Sequence, residues 1–353
     1  MNSMINVGIV GLGRLGALYV EYLAYQIPKA NVIAVSDTDE NRAKDIAENR
    51  GIKHAFKDYR DMLELTDLDA IVISSPTSTH KQIVIDASKK GLKIFCEKPL
   101  SISLDDAFQM KEAIDQSGVF FHMGFMRRYD PGYSTAKKRI LEDEIGDPIV
   151  FKASSRDPYR PSLEYADPKM SGGLFLDMGI HDFDLARWFM GDVEEVYSIG
   201  NVLAFPEMKT INDIDNAIVN MKFESGTIGN TDLSRSGLYG YDIRTEIMGT
   251  KGTIHIGYLR ETPIYILKKE GVMHDTVPFF MERFEKSYII QLKDFIEKAS
   301  TDSEPSISVD DGILALLVAH AATDSYKAGA PLFIDNKTFD YAEKIESQVN
   351  KSI

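Results

Sequence analysis

The first forty residues constrain the fold of this chain more than any other segment. A short apolar run over 5–10 leads into the glycine-rich hexapeptide GLGRLG at 11–16, and a second apolar run over 31–36 ends at Asp37. The residues between the two runs place apolar side chains at helical spacing, namely Leu15, Leu18, Tyr19, Tyr22 and Leu23. A buried strand, a glycine turn that opens a helix, and a second strand ending in an acid are typical of a dinucleotide-binding βαβ unit.

Each glycine of the turn has its own physical function. Gly11 allows the tight turn after the strand, Gly13 removes a side chain so that a pyrophosphate can approach the backbone, and Gly16 lets the helix pack closely on the sheet. The start of the helix also offers unpaired N–H groups and the positive end of its dipole to the phosphates. We therefore expect this turn, including Arg14 and Leu15, to bind the cofactor.

Asp37 indicates which dinucleotide is bound. A carboxylate at this position accepts hydrogen bonds from the adenosine ribose and disfavours a 2′-phosphate, and no arginine or lysine directly follows it. The pattern therefore favours NAD over NADP. A structural alternative stays open, because Asp37 or Asp39 is also suited to cap the helix that follows.

The composition excludes several classes of partner and compartment. The chain has 353 residues, which is enough for two domains with sizeable cores, and its net charge of −14 argues against nucleic acid or anionic membrane as a partner. The only cysteine, Cys96, cannot form an intramolecular disulfide, is expected to pack as a small apolar residue, and favours a reducing cytosol. We expect no signal peptide, because the first predicted strand begins at residue 5, and the longest mostly apolar run, 313–322, is too short to span a bilayer.

The first third of the chain alternates between short apolar runs and helical patterns. This alternation predicts a parallel sheet covered by helices on both faces, with ligands bound beyond the carboxyl ends of the strands. The predicted strands are 5–10, 31–36, 69–74, 92–96 and 119–123, and the predicted helices are about 14–26, 39–49, 80–90 and 104–117.

After about residue 126 the pattern changes to strands without intervening helices. Turn signals at 224–226 and 249–252 favour hairpins and a mostly antiparallel sheet. We therefore expect two domains, 1–126 and 127–353, the second of α+β type. Its predicted strands lie near 148–155, 193–200, 215–223, 226–233, 241–248, 252–258 and 263–268; two later helices are predicted from a stripe of Phe284, Tyr288, Leu292, Phe295 and Ile296 and from the run 313–328.

Lys98 is the first candidate for chemistry. It follows the apolar strand 92–96 at the edge of the sheet where the cofactor is expected. An ammonium group there can hold a substrate oxygen and stabilise charge during hydride transfer. The alternative is an ordinary solvent-exposed loop lysine, and the local sequence favours neither interpretation.

The segment 171–188 supplies the second candidate. Asp177 and His181 are four residues apart, so on one helix they would share a face. An aspartate beside an imidazole orients the ring and raises its pKa, which suits His181 to act as a general base. A structural histidine is one alternative. A metal site of Asp177, His181 and Asp184 is a minority alternative, since divalent metals need three or four convergent ligands; we predict no metal and expect Asp182 to point elsewhere, solvated or stabilising the helix.

Together, the glycine turn, Glu97-Lys98-Pro99 and Asp177-x-x-x-His181 resemble the Gfo/Idh/MocA oxidoreductase family over nearly the whole chain. The segments 124–130, 171–188 and 239–242 are similar to bacterial inositol 2-dehydrogenases within it. The resemblance implies an N-terminal Rossmann domain that binds NAD and a C-terminal α/β domain that binds substrate. It also implies that the open antiparallel sheet of the second domain makes subunit contacts, often in a homotetramer.

The resemblance also implies roles for individual residues. The catalytic lysine, aspartate and histidine of the family correspond to Lys98, Asp177 and His181. The loop 155–170 matches the family pattern poorly and is expected to set substrate choice. By the same resemblance, Ser74, Pro76, His80, Glu97 and Lys98 would line the nicotinamide side, and Lys98, Arg127, Asp157, Asp177, His181 and Tyr239 would bind a polyol.

The expected reaction is NAD-dependent oxidation of a ring hydroxyl of inositol to a ketone, with the hydride passing to nicotinamide. His181 would accept the hydroxyl proton, Asp177 would orient the imidazole and bind a hydroxyl, and Lys98 would hydrogen-bond the reacting oxygen. Both myo- and scyllo-inositol are open as substrates. Two alternatives are a dehydrogenase of an aldose or anhydrosugar, and an NAD-binding sensor or scaffold without turnover.

Overall fold

The computed structural model describes residues 4–257, 261–301 and 303–335. The chain divides into two compact units. Among the described residues, the first unit is formed by those up to Phe125 together with Tyr288–Ile313, and the second by Met126–Ser287 together with those from Leu314 to 335. A segment from the C-terminal third of the chain therefore completes the N-terminal unit.

The first unit is built on a six-stranded parallel sheet in the order β3-β2-β1-β4-β5-β6. This is the doubly wound order of a Rossmann fold, with the strand order reversing between β1 and β4. The predicted fold class is confirmed. The strands are Ile5–Val10 (β1), Ala30–Ser36 (β2), His54–Phe56 (β3), Ala70–Ile73 (β4), Lys93–Glu97 (β5) and Phe121–Gly124 (β6); the helices are Arg14–Tyr25 (α1), Glu40–Arg50 (α2), Tyr59–Met62 (α3), Thr77–Lys89 (α4) and Leu104–Ser117 (α5).

Local signals explain where these helices begin and end. The Asp39 carboxylate accepts the Arg42 N–H at 3.2 Å and caps α2, which ends at Gly51 with φ +66°. Ser103 caps α5 in the same way, and Gly118 ends it with φ +64°. Sequence analysis missed β3 and α3, because elements of three or four residues are too short to show a periodic pattern.

The second unit is built on a seven-stranded sheet in the order β12-β11-β7-β10-β9-β8-β15. Its neighbouring strands are antiparallel except for β7 and β10, so the mostly antiparallel prediction is confirmed. The strands are Pro148–Arg156 (β7), Val193–Asn201 (β8), Asn216–Phe223 (β9), Ile228–Ser234 (β10), Asp242–Gly249 (β11), Thr253–Ile256 (β12) and Leu332–Phe333 (β15), with a separate hairpin of Ile266–Lys268 (β13) and Gly271–Met273 (β14).

The helices of the second half depart from the prediction of uninterrupted strands. One helix, 131–141, precedes β7. Three short helices follow it within 163–177, in a proline-containing region that gave no clear periodic signal. The helices are Pro131–Leu141 (α6), Leu163–Ala166 (α7), Pro168–Ser171 (α8), Gly173–Asp177 (α9), Ile180–Met190 (α10), Phe280–Ala299 (α11) and Val309–Ala328 (α12), with 3₁₀ turns at Met126–Tyr129 and Pro206–Ile211.

Most predicted segments of the second half are found with shifted ends. The hairpins around 224–226 and 249–252 form as predicted, between β9 and β10 and between β11 and β12. The apolar stripe of α11 is buried as predicted, and within the first unit its Phe295 ring lies 5.6 Å from the Phe95 ring of β5. The predicted strand 263–268 is shorter, at Ile266–Lys268, and residue 258 of the predicted strand 252–258 lies outside the described residues.

In the described ranges, no helix combines the length and the apolar character needed to cross a membrane. Cys96 is fully buried on β5, which confirms its packing as a small apolar residue.

Candidate active site

In the turn after β1, the Cβ positions of Gly11 and Gly16 are blocked by neighbouring atoms, whereas that of Gly13 is open. Gly11 has φ +87°, and a Cβ there would lie 2.5 Å from the Ser75 backbone. A Cβ at Gly16 would lie 1.9 Å from the Gly11 carbonyl oxygen. At Gly13, by contrast, a Cβ would meet no described heavy atom within 4 Å. Glycine is therefore required for folding at 11 and 16, whereas at 13 the space is free for a ligand.

Asp37 fastens the glycine turn to the end of β2. Its Oδ2 accepts the Leu12 N–H at 2.7 Å, and its Oδ1 accepts the Asp39 N–H at 2.9 Å. Since Asp39 caps α2, the capping alternative applies to Asp39 and not to Asp37. Arg42 reaches back from the first turn of α2, with its Nη1 at 3.4 Å from the Asp37 carboxylate. Sequence analysis missed this cation, because it considered only the residues directly after Asp37.

The loop after β4 is held by Ser74 and His80. The Ser74 hydroxyl donates to the Gly11 carbonyl at 2.9 Å, which joins this loop to the glycine turn. His80 is buried, with Nε2 at 3.0 Å from the Ser75 carbonyl oxygen and Nδ1 at 3.1 Å from the Pro99 carbonyl oxygen. Burial lowers the pKa of His80. The ring thus links the loop that starts with Ser74 to the loop that contains Lys98.

Glu97 and Lys98 lie where β5 ends. The Glu97 side chain is buried, and its Oε2 accepts the Lys98 main-chain N–H at 3.0 Å. Lys98 is half-buried and precedes Pro99. The side chains of Ser74, His80 and Glu97 thus all have partners within the protein, while their predicted contact with the nicotinamide stays a prediction. Pro76 immediately precedes α4 as its N-cap residue.

In the second unit, Asp177 and His181 occupy two different helices. Asp177 is the last residue of α9, whereas His181 lies in the first turn of α10. Met178 and Gly179 separate the two helices, and a Cβ at Gly179 would lie 2.6 Å from the Phe175 carbonyl oxygen. The expectation of a shared face on one helix is therefore wrong. The His181 side chain is buried.

The Asp177 carboxylate is held by two residues that sequence analysis missed. Arg235 donates from Nη2 to Oδ2 at 3.1 Å, and the Tyr165 hydroxyl donates to Oδ1 at 3.1 Å. Arg235 is fully buried directly after β10, and a buried arginine requires a carboxylate partner. The charges of Asp177 and, more weakly, Asp157 raise the pKa of Tyr165. Tyr165 belongs to the loop 155–170 that was expected to set substrate choice.

Arg127 forms a buried ion pair with Asp182. The Arg127 guanidinium is 2% exposed and donates from Nη1 to Asp182 at 2.9 Å and to the Ser155 hydroxyl at 3.1 Å. Asp182 is fully buried, so of the two roles expected for it, the solvated one is wrong. Burial raises the pKa of Asp182, and the Arg127 charge opposes that shift. The predicted contact of Arg127 with a polyol stays a prediction.

A second ion pair beside the first accounts for Asp184. Arg128 binds its carboxylate in a bidentate manner, at 3.0 Å from Nε and 2.6 Å from Nη2. Asp184 thus has a structural partner, and the described residues contain no cluster of three or more metal-ligating side chains. Together the two pairs fasten the 3₁₀ turn Met126–Tyr129 to α10, the helix that carries His181.

Tyr239 and Asp157 lie near the same end of the sheet. Tyr239 is partly exposed, and its hydroxyl donates to Asp242 at 2.6 Å while accepting from Arg156 at 3.2 Å. The Asp157 main chain bonds to Ser234, the residue before Arg235, at 2.8 Å. Their predicted contacts with a polyol stay predictions.

Comparison with known proteins agrees with the fold. The family model described as "Oxidoreductase family, NAD-binding Rossmann fold" (GFO_IDH_MocA) matches residues 5–125, and the model of its C-terminal alpha/beta domain matches residues 137–334. The chain is 38% identical to a scyllo-inositol 2-dehydrogenase (NAD(+)) of Bacillus subtilis, over 96% of this chain and 98% of that protein. It is 40% identical to a myo-inositol 2-dehydrogenase of Thermotoga maritima, over 90% of this chain and 95% of that protein.

A solved structure shows the same similarity in three dimensions. The scyllo-inositol dehydrogenase of Lactobacillus casei with bound NAD(H) and scyllo-inositol superimposes with a TM-score of 0.88 at 29% identity. The match covers 94% of this chain and 99% of that one.

The glycine turn provides a matched pair of substitutions. Gly16→Ala introduces a methyl group against the Gly11 carbonyl, and we expect it to lower the free energy of unfolding by about 1–3 kcal/mol. Gly13→Ala has space for its methyl group in the free protein, so its unfolding curve should match that of the wild type. It should nevertheless weaken NAD binding by about 10- to 100-fold, because the methyl group occupies the approach of the pyrophosphate. Urea unfolding and NADH fluorescence titration measure both effects; equal NAD affinity in Gly13→Ala and wild type would contradict the assignment.

The buried ion pair makes a second prediction. Asp182→Leu leaves the Arg127 charge buried without its counter-ion, which should cost about 3–5 kcal/mol of stability. The double variant Arg127→Met/Asp182→Leu should recover most of that loss, since both charges are gone. Glu144→Ala, which breaks the exposed pair with Arg139, is the control and should change stability by less than about 1 kcal/mol. Urea unfolding measures all three, and a double variant no more stable than Asp182→Leu alone would argue against the pair.

Proposed function

Because the chain belongs to the Gfo/Idh/MocA oxidoreductase family, we propose that it oxidises a ring hydroxyl of inositol to the ketone with NAD as hydride acceptor. The observation that carries this proposal lies in the second unit. There, the Asp177 carboxylate is held between Arg235 and Tyr165, four residues before a buried imidazole. Such a polar cluster offers several hydrogen-bonding groups to a polyol and a base for its proton. The same substrate class is named for the relatives at 38% and 40% identity.

Three side chains carry the proposed chemistry. His181 accepts the proton of the reacting hydroxyl, and Asp177 binds a neighbouring hydroxyl and orients the imidazole. Lys98 donates a hydrogen bond to the reacting oxygen and stabilises its charge as the ketone forms. Bound NAD supplies the hydride acceptor. Arg235 keeps Asp177 in place as a hydrogen-bond acceptor, since a buried guanidinium holds a carboxylate in a fixed geometry.

The first unit supplies the cofactor contacts. In this proposal the turn 11–16, including Arg14 and Leu15, binds the pyrophosphate, and Asp37 binds the adenosine ribose. Ser74, Pro76, His80 and Glu97 belong to the loops on the nicotinamide side. Since Ser74 and His80 are tied to backbone carbonyls, they act by holding those loops in place.

Substrate choice is assigned to the loop 155–170 and its neighbours. Tyr165 donates to the Asp177 oxygen that a substrate hydroxyl would otherwise use, so it limits which hydroxyl arrangements are accepted. Asp157, Arg127 and Tyr239 complete the proposed polyol contacts. Either inositol epimer satisfies this arrangement, and we propose a role in cytoplasmic inositol catabolism.

We propose that the open face of the second sheet makes the subunit contacts of a homo-oligomer, namely a tetramer. On β9, Ala217, Val219 and Met221 are buried while the alternate residues face outward. Ile218 lies opposite Ile199 of β8 in the sheet register, and both are more than half exposed, at 51% and 58%. Adjacent exposed apolar side chains on a sheet face support an interface there, because contiguous apolar surface marks interaction sites.

The proposed reaction predicts a substrate profile and a variant profile. The protein should reduce NAD with myo- or scyllo-inositol, more efficiently than NADP, as followed by NADH absorbance. His181→Ala should lower turnover by about 10²–10⁴-fold with little change in NADH affinity, because it removes the base and not the cofactor contacts. His255→Ala, an exposed histidine of the same unit, is the control and should keep wild-type turnover.

Other outcomes of this panel distinguish the alternatives. Turnover of an aldose or anhydrosugar without any inositol would replace the substrate and keep the reaction. NADH binding without turnover of any polyol would indicate a sensor or scaffold. Wild-type turnover by His181→Ala would remove that residue from the mechanism.

Substitutions that introduce charged side chains test the proposed interface. The wild type should sediment as a tetramer, and Ile199→Glu/Ile218→Glu should shift it to smaller species, because buried unpaired carboxylates are costly at an interface. Leu141→Glu, on the exposed side of α6, is the control and should leave the mass unchanged. A wild-type monomer, or a double variant of wild-type mass in sedimentation velocity, would contradict the proposal.

A further inference from the structure

Glu97 lies at the end of β5 with its carboxylate enclosed by the first unit. The Tyr19 hydroxyl, from α1, donates a hydrogen bond to Oε1. The Lys98 main-chain N–H donates to Oε2 at 3.0 Å. Gln291, from α11, donates from Nε2 to the Tyr19 hydroxyl oxygen at 2.8 Å. Tyr19 and Gln291 are both fully buried, so this chain of hydrogen bonds lies away from solvent.

The segments that supply these groups are far apart in sequence. Tyr19 belongs to the helix that follows the glycine turn, and Gln291 belongs to the segment Tyr288–Ile313 that completes the first unit. Tyr19 also packs against the rings of Phe95 and Tyr288, at 5.9 and 6.0 Å. The network therefore fixes Glu97 through rigid helices, and Glu97 in turn fixes the backbone at Lys98.

We propose that Glu97 is a positioning residue for Lys98: with Tyr19 and Gln291 it holds the main chain of that lysine, and the negative charge of Glu97 determines how firmly it is held. This inference rests on the proposed function in that Lys98 is the residue that contacts the reacting oxygen. Glu97 itself acts only through Lys98 and the network behind it.

The electrostatics of the network support this role. Burial raises the pKa of Glu97 to about 7, against the lowering effects of the Tyr19 hydroxyl, the Lys98 charge and the Gln291 amide. Burial and the Glu97 charge likewise raise the pKa of Tyr19. Glu97 therefore changes its charge close to neutral pH, whereas an exposed glutamate is ionised throughout that range.

Lys98 is a cation whose charge acts on this network. Among the described residues, the titratable groups near the network include Tyr22 of α1, Tyr288 of α11, Cys96 and Lys98 on or next to β5, and His122 on the adjacent strand β6. When Glu97 takes up a proton, the hydrogen bond to the Lys98 N–H loses its charge assistance and weakens. The main chain at Lys98 is then held less firmly, and the position of its side chain becomes less well defined.

The decisive experiment compares wild type with Glu97→Gln across pH. At pH 6 the wild-type carboxyl is mostly protonated and resembles glutamine, so the two proteins should oxidise inositol at similar rates. Above pH 8 the wild type carries the charge and the variant cannot, so wild-type kcat should be about tenfold higher, as expected for the loss of charge assistance in one hydrogen bond. A merely structural role would give a ratio independent of pH, and that result would overturn the inference.

Tyr19→Phe tests the same network without changing the carboxylate. Removing the hydroxyl takes away a donor that lowers the Glu97 pKa, so the acidic limb of the kcat profile should move to higher pH by about one unit. Tyr59→Phe is the matched control, because it removes another hydrogen bond from a tyrosine to a carboxylate in this unit, at Asp86. An acidic limb that does not move in Tyr19→Phe would contradict the inference.

Hydrogen exchange separates this inference from the proposed function. At pH 8 and without substrate, the Lys98 amide should exchange about tenfold faster in Glu97→Gln than in wild type, and Tyr59→Phe should exchange like wild type. If the wild type oxidises no inositol, the proposed function fails while this measurement still decides the role of Glu97. If the wild type is active but the Lys98 amide exchanges equally in both proteins, the inference fails alone. NADH binding and thermal unfolding confirm that each variant is folded.

Discussion

In the second unit, the guanidinium groups of Arg127, Arg128 and Arg235 lie where solvent hardly reaches, and each is bonded to a carboxylate. A buried charge without a partner costs several kcal/mol, so these pairs constrain which backbone arrangements are possible. Two of them fasten the start of this unit to α10, and the third fastens the end of β10 to Asp177. The positions of both His181 and Asp177 therefore depend on the pairing of buried arginines.

In the first unit, the buried carboxylates of Asp37 and Glu97 are held mainly by neutral donors, and Arg42 adds only a longer contact of 3.4 Å to Asp37. Asp37 is satisfied chiefly by the backbone N–H groups of Leu12 and Asp39, and Glu97 by a tyrosine hydroxyl and the N–H of Lys98. Neutral donors hold a carboxylate less strongly than a guanidinium does, but they bind it to the backbone itself. Each of these acids consequently shapes a loop at the carboxyl edge of the sheet, where a doubly wound fold places its ligand.

The sequence predicted the elements and motifs that depend on local pattern. The glycine turn, the parallel strands and the role of Asp39 as a cap all follow from residue types at short spacing. The interruption between α9 and α10 was missed, because spacing alone assumes a continuous helix through Asp177 and His181. The side-chain donors to Asp177, Asp182 and Glu97 were missed for a different reason: each lies at least 12 residues away along the chain, and only the folded packing brings it close. Two signals were nevertheless visible, namely Arg235 just after a strand and the presence of Tyr165 in the loop 155–170 that was expected to set substrate choice.

The two ways of holding carboxylates have different consequences for pH dependence. Arginine keeps its proton at any working pH, so an acid paired with it keeps a charged partner throughout. Glu97 is instead surrounded by neutral donors and one lysine, and burial places its pKa at about 7. Because its folded-state pKa lies above that of an exposed glutamate, the folded protein binds a proton there that the unfolded chain releases between about pH 4.5 and 7. Ionisation of Glu97 thus lowers the free energy of unfolding as pH rises through that window. In the proposed role of Glu97, the same negative charge is what holds the main chain of Lys98 in place.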